Sequence, residues 1–310
     1  MAVERYDILI PGHYFCDIIF TGIPGFPALG TELFTKDLNV VPGGVMNTVV
    51  GLTRLGTKVA WLSTLGSDFF SQFAAEQARA DGIDLSQVVF TGEPLKRVTV
   101  AMSYPGDRAF LTYIDPPPDL IPRLYAAVEN TPFRHLHFTG LQIDERMPDL
   151  IRACHAKGIS VSMDCQHREQ TLAEPLVQAI VGSLDLFMPN TAEAQRLTGA
   201  TTLEAAADVL RGLVPYLVIK DGQNGAYAWV GGDHFHAPVI TVEPVDTTGA
   251  GDIFNAGFLT AWLQGRPPEE CLRRGNITGG LSLRGYGGYS SAPTLAEMNG
   301  YLDVSENEKS

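Results

Sequence analysis

Short, nearly continuous apolar runs alternate with amphipathic helical patterns along most of this 310-residue sequence. The apolar runs predict strands at residues 6–10, 59–63, 159–164, 185–188 and 216–220. The helical patterns predict helices at residues 47–55, 69–81, 148–157, 192–197 and 203–211. Strands of this kind are typical of a mostly parallel sheet that helices cover on both faces. Because ligands bind outside the carboxyl ends of such strands, we expect a site in the loops that follow them.

Two stretches interrupt the alternation and predict a small β lid. Residues 15–41 are rich in glycine and proline and carry no helical pattern. Residues 95–114 alternate between apolar and polar side chains around a Tyr-Pro-Gly-Asp turn at 104–107, which is typical of a hairpin. We therefore expect a single α/β domain over residues 1–310, with the lid inserted at about 15–41 and 95–114.

The charge and hydropathy of the chain argue against several classes of partner. The formal net charge is −13, which disfavours binding to nucleic acid or to an anionic membrane. No apolar run approaches the roughly 18 residues that cross a bilayer. The N-terminus carries Glu4, Arg5 and Asp7 and predicts a short strand instead of a signal peptide. We expect a cytoplasmic protein that acts on a small molecule.

The strongest local feature is the segment from Asp246 to Asp252, which precedes a helical pattern at 253–264. Its run of small residues, Gly249-Ala250-Gly251, would let an anion approach the free N–H groups and the positive dipole end of the helix. Such a site suits a phosphoryl group in transfer, and Asp252 beside it is placed to accept the proton of an attacking hydroxyl. The alternative is purely structural, since an aspartate at a helix start is commonly only a cap.

Several segments in the same order resemble the ribokinase-like (PfkB) carbohydrate kinases over nearly the whole chain. Residues 246–259 are similar to the C-terminal signature of that family at each constrained position. The other segments are Gly12 to Asp17, Gly43-Gly44 to Asn47 with Leu55-Gly56, Leu65 to Asp68 with Gly82 to Asp84, Asn190 to Glu193, and Lys220 to Gly225. The resemblance implies an α/β fold, a ribokinase-like three-layer sandwich with a mostly parallel central sheet and a small β lid. It also implies an enzyme that transfers the γ-phosphate of ATP to a hydroxymethyl group of a sugar-like substrate.

The same resemblance implies roles for residues of the catalytic and acceptor sites. Asp252 would be the base that deprotonates the acceptor hydroxyl. The transferring phosphate would be held by the backbone amides of Gly249, Ala250 and Gly251. The acceptor site would contain Asp17, Gly43, Gly44 and Asn47, with the glycines allowing close approach.

For the nucleotide and its ions, the resemblance implies a further set of residues. The nucleotide site would contain Asn190, Lys220, Gly222, Gly225, Thr247 and Asn276. Glu193 would organise Mg²⁺ through water, and Asp246 with Thr248 would bind a monovalent cation such as K⁺. Asn190 and Glu193 also have the spacing of a helix capping box, so a structural role is an alternative for this pair. Dimers formed through the lid are common in the resembling family, which predicts a homodimer.

The acceptor is left open, because the sequence departs from ribokinases at one motif. Ribokinases show a Gly-Gly-Lys-Gly-Ala-Asn segment, whereas Val45 and Met46 alone separate the glycine pair from Asn47 here, and the lysine is absent. Ketohexoses, keto-deoxy acids and nucleosides all fit this pattern. Arg97 or Arg108 would suit a substrate carboxylate, although arginines on a hairpin more often face solvent. A nucleoside kinase and a non-catalytic sugar or nucleotide sensor are the alternatives, and a sensor would be expected to lose Asp252.

Overall fold

The computed structural model describes residues 5–104 and 107–307. The strands are β1 (Tyr6–Pro11), β2 (Tyr14–Thr21), β3 (Asp37–Gly44), β4 (Val59–Leu65), β5 (Val88–Phe90), β6 (Arg97–Tyr104), β7 (Asp107–Ile114), β8 (Phe133–Phe138), β9 (Ser160–Met163), β10 (Leu186–Phe187), β11 (Tyr216–Lys220), β12 (Ala226–Val230) and β13 (Asp233–Ala237). The helices are α1 (Val45–Arg54), α2 (Phe69–Ala80), α3 (Ile121–Asn130), α4 (Met147–Ala156), α5 (Pro175–Val181), α6 (Thr191–Thr198), α7 (Leu203–Leu210), α8 (Ala250–Leu263), α9 (Pro268–Ser282), α10 (Gly288–Ser291) and α11 (Leu295–Asn307). The predicted turn at 104–107 includes residues 105 and 106, which lie outside the described residues.

Nine strands form the central sheet, in the order β13-β12-β11-β10-β9-β8-β1-β4-β5. All pairs from β11 to β5 are parallel, while β12 and β13 add an antiparallel edge. The mostly parallel sheet is therefore confirmed. None of the helices described here is both long and apolar enough to cross a membrane.

Apolar cores lie on both faces of this sheet, which makes the fold three-layered. In β1, Ile8 and Ile10 belong to one core and Leu9 to the other, and all three are fully buried. A strand that is covered on both faces needs apolar side chains at every position, which explains the continuous apolar runs. Helices α1, α2, α8, α9 and α11 cover the first face, and α3 to α7 cover the second.

Strand β8 is central in the sheet although three of its six residues, Arg134, His135 and His137, are polar. His135 contacts the hydroxyls of Ser160 and Ser162, each at 2.7 Å, and Nδ1 of His137 lies 2.7 Å from Ser162 Oγ. Burial lowers the pKa of both imidazoles, that of His137 to about 3, so both are neutral near pH 7. Hydrogen bonds to the serines of β9 thus replace apolar packing, and the apolar pattern alone did not predict this strand.

A separate four-stranded sheet, in the order β3-β2-β6-β7, forms the lid. One of its faces is apolar and packs on the body of the protein, where Ile19, Val41 and Ala101 contact Tyr286. Strand β3 continues beyond the predicted boundary at residue 41, because Gly43 pairs with Phe15 of β2. This extension leads the chain directly from the lid into helix α1.

Candidate active site

Helix α8 begins directly after Gly249, which adopts a left-handed conformation with φ of 75°. A Cβ atom at this position would lie 2.8 Å from the Cα atom of Gly288 and 2.9 Å from Nδ2 of Asn47, so only glycine fits. The first N–H groups of a helix have no intrahelical acceptor. Because Gly251 in this turn is exposed, an anion can reach these groups from solvent.

Asp252 lies in the first turn of α8 and is held by Asn47 of α1. Nδ2 of Asn47 donates a hydrogen bond of 3.0 Å to Oδ2 of Asp252. Burial raises the pKa of Asp252 to about 7, and the hydrogen bond from Asn47 opposes this shift. Oδ1 of Asn47 is buried and has no hydrogen-bond partner among the described residues. Asn47 therefore fixes the carboxylate with one atom and keeps an acceptor for a donor such as a hydroxyl.

Lys220 forms a buried polar cluster with two residues that the sequence did not single out. Its Nζ atom donates to Oδ2 of Asp164 at 2.6 Å and to Oδ1 of Asn255 at 3.3 Å. Nδ2 of Asn255 donates to the same Asp164 oxygen at 2.5 Å. Asp164 directly follows β9 and Lys220 ends β11, so the carboxyl ends of two strands meet helix α8 here. A Cβ atom on Gly251 would lie 3.6 Å from Nζ of Lys220, so this cluster adjoins the turn that carries Asp252. The charge of Asp164 adds to the rise in the pKa of Asp252 that burial causes, and the charge of Lys220 opposes it.

Asn190 and Glu193 form the predicted capping box at the start of α6. Glu193 N donates to Oδ1 of Asn190 at 2.9 Å, and Asn190 N donates to Oε2 of Glu193 at 2.8 Å. Burial, and then the charge of Asp164, raise the pKa of Glu193. The structural alternative for this pair is therefore realised, and Glu193 also lies within electrostatic range of Asp164 and Asp252.

On the lid side, Asp17 of β2 lies against the backbone of Gly43 in β3. A Cβ atom at Gly43 would overlap the Asp17 carboxylate, and Gly44 has a φ of 61° as the N-cap of α1. Burial, and then the charge of Asp246, raise the pKa of Asp17 to about 6. The glycine pair thus brings strand β3 close to the Asp17 carboxylate.

Hydrogen bonds to the Asp246 carboxylate hold the segment before α8 in place. Its Oδ1 accepts hydrogen bonds from N and Oγ1 of Thr248 at 3.0 and 2.9 Å, and its Oδ2 accepts one from Gly287 N at 2.9 Å. The carbonyl of Thr247 accepts a long hydrogen bond, 3.4 Å, from Ala250 N. These bonds position the loop that presents the helix N-terminus.

Comparison with known proteins identifies the family of the chain. The sequence model of the pfkB family of carbohydrate kinases matches residues 31–295. The chain belongs to this family. It is 28% identical over 289 residues to a 2-dehydro-3-deoxygluconokinase of Bacillus subtilis, covering 87% of this chain and 88% of that protein. It is 27% identical over 304 residues to a ribokinase of the same organism, covering 96% of this chain and 99% of that protein.

Solved structures confirm the ribokinase-like fold of this pfkB-family chain. A putative ribokinase II from Escherichia coli, in complex with ATP and Mg²⁺, superposes with a TM-score of 0.79 at 21% identity. The alignment covers 96% of this chain and 99% of that one. The three-layer sandwich and the lid predicted from the sequence are thus those of the family.

Four of the residues predicted to bind the nucleotide lie around the end of β11 in the pfkB-family chain, where Asn190 pairs with Lys220 and Gly222 and Gly225 follow. Gly222 begins a 3₁₀ turn after Lys220, and Gly225, with φ of 93°, lets the backbone of Ala237 approach closely. Asn276 in α9 donates from Nδ2 to the carbonyls of Ala237 and Pro238 at 2.7 and 3.1 Å. Asn276 therefore has a structural explanation, since it fixes the chain after β13, and its role in an adenine pocket stays a prediction.

The carboxylates near Asp252 fit the magnesium ion that the family implies. Burial raises the pKa of Asp252, and the charges of Asp164 and Glu193 raise it further. The described residues contain no group of three or more His, Cys, Asp and Glu side chains arranged to bind a metal directly. Mg²⁺ usually binds through one or two carboxylates, several waters and the substrate phosphates, so this region suits it without a closed protein cage.

Asp164 and Asn255 are the functional candidates that reasoning from the sequence missed. Asp164 stands at the carboxyl end of a predicted strand, which is a position where ligands bind in parallel sheets. Asn255 is a fully buried polar residue in an apolar helix, three positions after Asp252 and so on the same side of α8. The position of Asp164 after a strand and the polar Asn255 in an apolar helix can both be recognised in the sequence. Neither feature predicts that Lys220 contacts both residues.

Proposed function

We propose that this pfkB-family protein transfers the γ-phosphate of ATP to a hydroxymethyl group of a sugar-like small molecule, with Asp252 as the general base. The observation that carries the proposal is the position of the Asp252 carboxylate. It lies beside the open N-terminus of α8, accepts a hydrogen bond from Asn47 and adjoins the ion pair of Lys220 with Asp164.

In this mechanism Asp252 accepts the proton of the acceptor hydroxyl as that hydroxyl attacks the γ-phosphorus, while the bond from the γ-phosphorus to the β–γ bridging oxygen breaks and ADP leaves. A base with a pKa of about 7 is largely ionised at slightly alkaline pH and can still hold a proton in the transition state. The backbone amides of Gly249, Ala250 and Gly251, at the positive end of α8, stabilise the charge on the transferring phosphoryl group. Mg²⁺, which Glu193 would hold through water, would supply neutralisation of the phosphate charge.

The remaining residues divide between the two substrates. Asp17 and the free Oδ1 atom of Asn47 suit acceptor hydroxyls, and Gly43 and Gly44 leave room for them. We assign the nucleotide to Asn190, Lys220, Gly222, Gly225, Thr247 and Asn276. Glu193 would hold Mg²⁺ through water, because its carboxylate lies within electrostatic range of Asp164 and Asp252.

Potassium is a separate element of the proposal. The Asp246 carboxylate folds the loop before α8 by accepting hydrogen bonds from Thr248 and Gly287. A monovalent cation beside Asp246 and Thr248 would order this loop and the helix N-terminus that follows it. Activity measured in KCl and in choline chloride at equal ionic strength tests this point. Equal rates in the two salts would remove the cation from the mechanism.

We also propose a single kinase domain over residues 1–310 that forms a homodimer through the lid. The support is a row of apolar side chains, which we call the outer lid row, that crosses all four lid strands on one face. It consists of Val40, Ile18, Val100 and Leu111, which are paired across the sheet. Val40 and Leu111 are 40% and 68% exposed, and a second copy of the sheet would cover them.

A cytoplasmic location stays a prediction, for which cell fractionation is the test.

The function is tested by an acceptor screen. Purified protein with ATP and Mg²⁺ is assayed for ADP release with sugars, sugar acids and nucleosides, one at a time. We expect at least one hydroxymethyl-bearing acceptor to stimulate ADP release strongly. Stimulation by nucleosides alone would establish a nucleoside kinase. Ligand binding without ADP release from any acceptor would instead support a non-catalytic sensor.

A further inference from the structure

Arg97, the first residue of β6, is buried at the base of the lid, with only 3% of its surface exposed. Its Nε and Nη2 atoms are buried and have no hydrogen-bond partner among the described residues. For Arg97 this contradicts the expectation that arginines of the hairpin face solvent, while the side chain of Arg108 lies outside the described part of the structure. A buried, unpaired guanidinium is costly to maintain, because arginine stays protonated and loses its hydration.

Neighbouring groups do not supply the missing partner. The titratable groups that act on Arg97 are Tyr14 and Asp115, and burial raises the pKa of the Tyr14 hydroxyl, so only Asp115 is charged near pH 7. Asp115 already accepts hydrogen bonds from Lys96 N at 2.7 Å and from the Tyr113 hydroxyl at 2.8 Å. Tyr14 is bonded to Ser71 at 2.8 Å and to the carbonyl of Leu95 at 2.9 Å. Across residues 5–104 and 107–307, no ion pair of the Arg97 side chain is found.

His13 lies near Arg97 and also lacks a partner for one ring atom. Its buried Nδ1 has no hydrogen-bond partner in the part of the chain that the structure describes. Burial, and then the charge of Arg97, lower the pKa of His13 to about 4, so the imidazole is neutral near pH 7. Two adjacent side chains at the base of the lid thus keep unsatisfied polar atoms, and native interiors seldom leave such atoms without a ligand or water.

The register of the lid strands sets Arg97 on the same face as Asp17. Thr99 pairs with Asp17 across β6 and β2, and Arg97 is two residues before Thr99, so their side chains share a face. Ala101, two residues further on, packs on this face with Ile19 and Val41 against Tyr286 of the body. Two residues of a strand span about 7 Å, so Arg97 stands one side-chain position from the candidate acceptor site.

The two unpartnered atoms define the chemistry of the missing ligand. Nε and Nη2 form one edge of the guanidinium, where two parallel N–H donors match the two oxygens of a carboxylate. We propose that Arg97 binds a carboxylate of the acceptor, so that the substrate is a sugar acid and not a neutral sugar. This inference rests on the proposed kinase function, and it adds the class of acceptor.

The test compares acceptor molecules that differ only at one end of their carbon chain. Aldonic acids of five and six carbons are assayed beside the corresponding alditols, which carry a hydroxymethyl group in place of the carboxylate. We expect the wild-type protein to prefer the acids. In Arg97→Met the ratio of kcat/KM for acid over alditol should fall about 10- to 100-fold, because a charge-assisted hydrogen bond pair is lost. The matched control is Lys96→Met, which removes the same charge from the exposed neighbouring residue and should leave the ratio unchanged.

A binding measurement separates this inference from the kinase mechanism. Aldonate should raise the Tm of the wild-type protein and of Lys96→Met, but not that of Arg97→Met, whether or not phosphate is transferred. Without ligand, Arg97→Met should be at least as stable as the wild-type protein, because an unpaired buried charge has been removed. A marked loss of stability in that variant would assign Arg97 a structural role and overturn the proposal. Preference for alditols, or for sugar phosphates over acids, would also overturn the carboxylate assignment.

Discussion

Asn47 and Asp252 are 205 residues apart in the chain, yet Nδ2 of Asn47 donates a hydrogen bond of 3.0 Å to Oδ2 of Asp252. The bond joins the first turn of α1, which follows the lid, to the first turn of α8, which presents the anion site. It favours the ionised carboxylate, in opposition to the effect of burial. The proposed base is therefore tuned by a residue that is also proposed to bind the acceptor.

The pH profile should report this tuning. Because Asp252 must be ionised to act as a base and burial raises its pKa to about 7, log(kcat/KM) should fall with decreasing pH below about 7. In Asn47→Leu the hydrogen bond to the charged form is lost, so the pKa of Asp252 should rise and the acid limb should move to higher pH. Initial rates between pH 5 and 9 measure both profiles.

A second carboxyl serves as the control for this profile. The pKa of Asp17 is raised to about 6, so its ionisation would add a second limb at lower pH. Asp17→Asn should remove that lower limb and retain the one near pH 7. An acid limb that stays in place in Asn47→Leu would show that the hydrogen bond does not control the base.

Replacing the base itself should separate catalysis from nucleotide binding. Asp252→Asn keeps the shape of the side chain but cannot accept the proton, so kcat should fall by roughly 10²-fold or more. ATP affinity, measured by calorimetry, should change little, because every residue assigned to the nucleotide is retained in this variant. Asp233→Asn, at the exposed first residue of β13, is the matched control. Full activity in Asp252→Asn would falsify the mechanism.

Local sequence patterns predicted the parallel sheet and the start of α8, because each depends on neighbouring residues. The left-handed conformation before α8 requires a glycine, Gly249, and Asp252 follows three residues later. One short segment of sequence is therefore enough to predict both features. The Lys220 cluster could not be predicted in this way, since its partners lie 56 and 35 residues away and meet only when the strands are in register.

The burial of Arg97 and of strand β8 escaped prediction for a related reason. A charged or polar residue is usually exposed, and the pattern alone gives no sign of the partners that make burial tolerable. For His135 those partners are Ser160 and Ser162 of the neighbouring strand. For Arg97 no partner is found among the described residues, which is why the structure points to a ligand.

The ion pair of Lys220 and Asp164 should contribute to stability as well as to the site. Its side chains are 12% and 8% exposed, so Lys220→Met would leave a buried carboxylate without its partner. The free energy of unfolding should fall by about 3–5 kcal/mol in urea titrations. The double variant Asp164→Asn with Lys220→Met should recover part of this loss, because no uncompensated charge remains. A control is Arg152→Met, which breaks an ion pair whose side chains are 74% and 67% exposed and should not change stability measurably.

Dimerisation through the lid should depend on the outer lid row. Leu111 is 68% exposed at one end of this row, so Leu111→Lys would put a charge into the proposed interface without disturbing the monomer core. In sedimentation velocity the wild-type protein should run as a dimer and Leu111→Lys as a monomer. Val209→Lys, which adds the same charge to a residue of α7 that is 45% exposed and remote from the lid in sequence, should remain dimeric. A wild-type monomer at micromolar concentration, or a dimer that survives Leu111→Lys, would remove the lid as the interface.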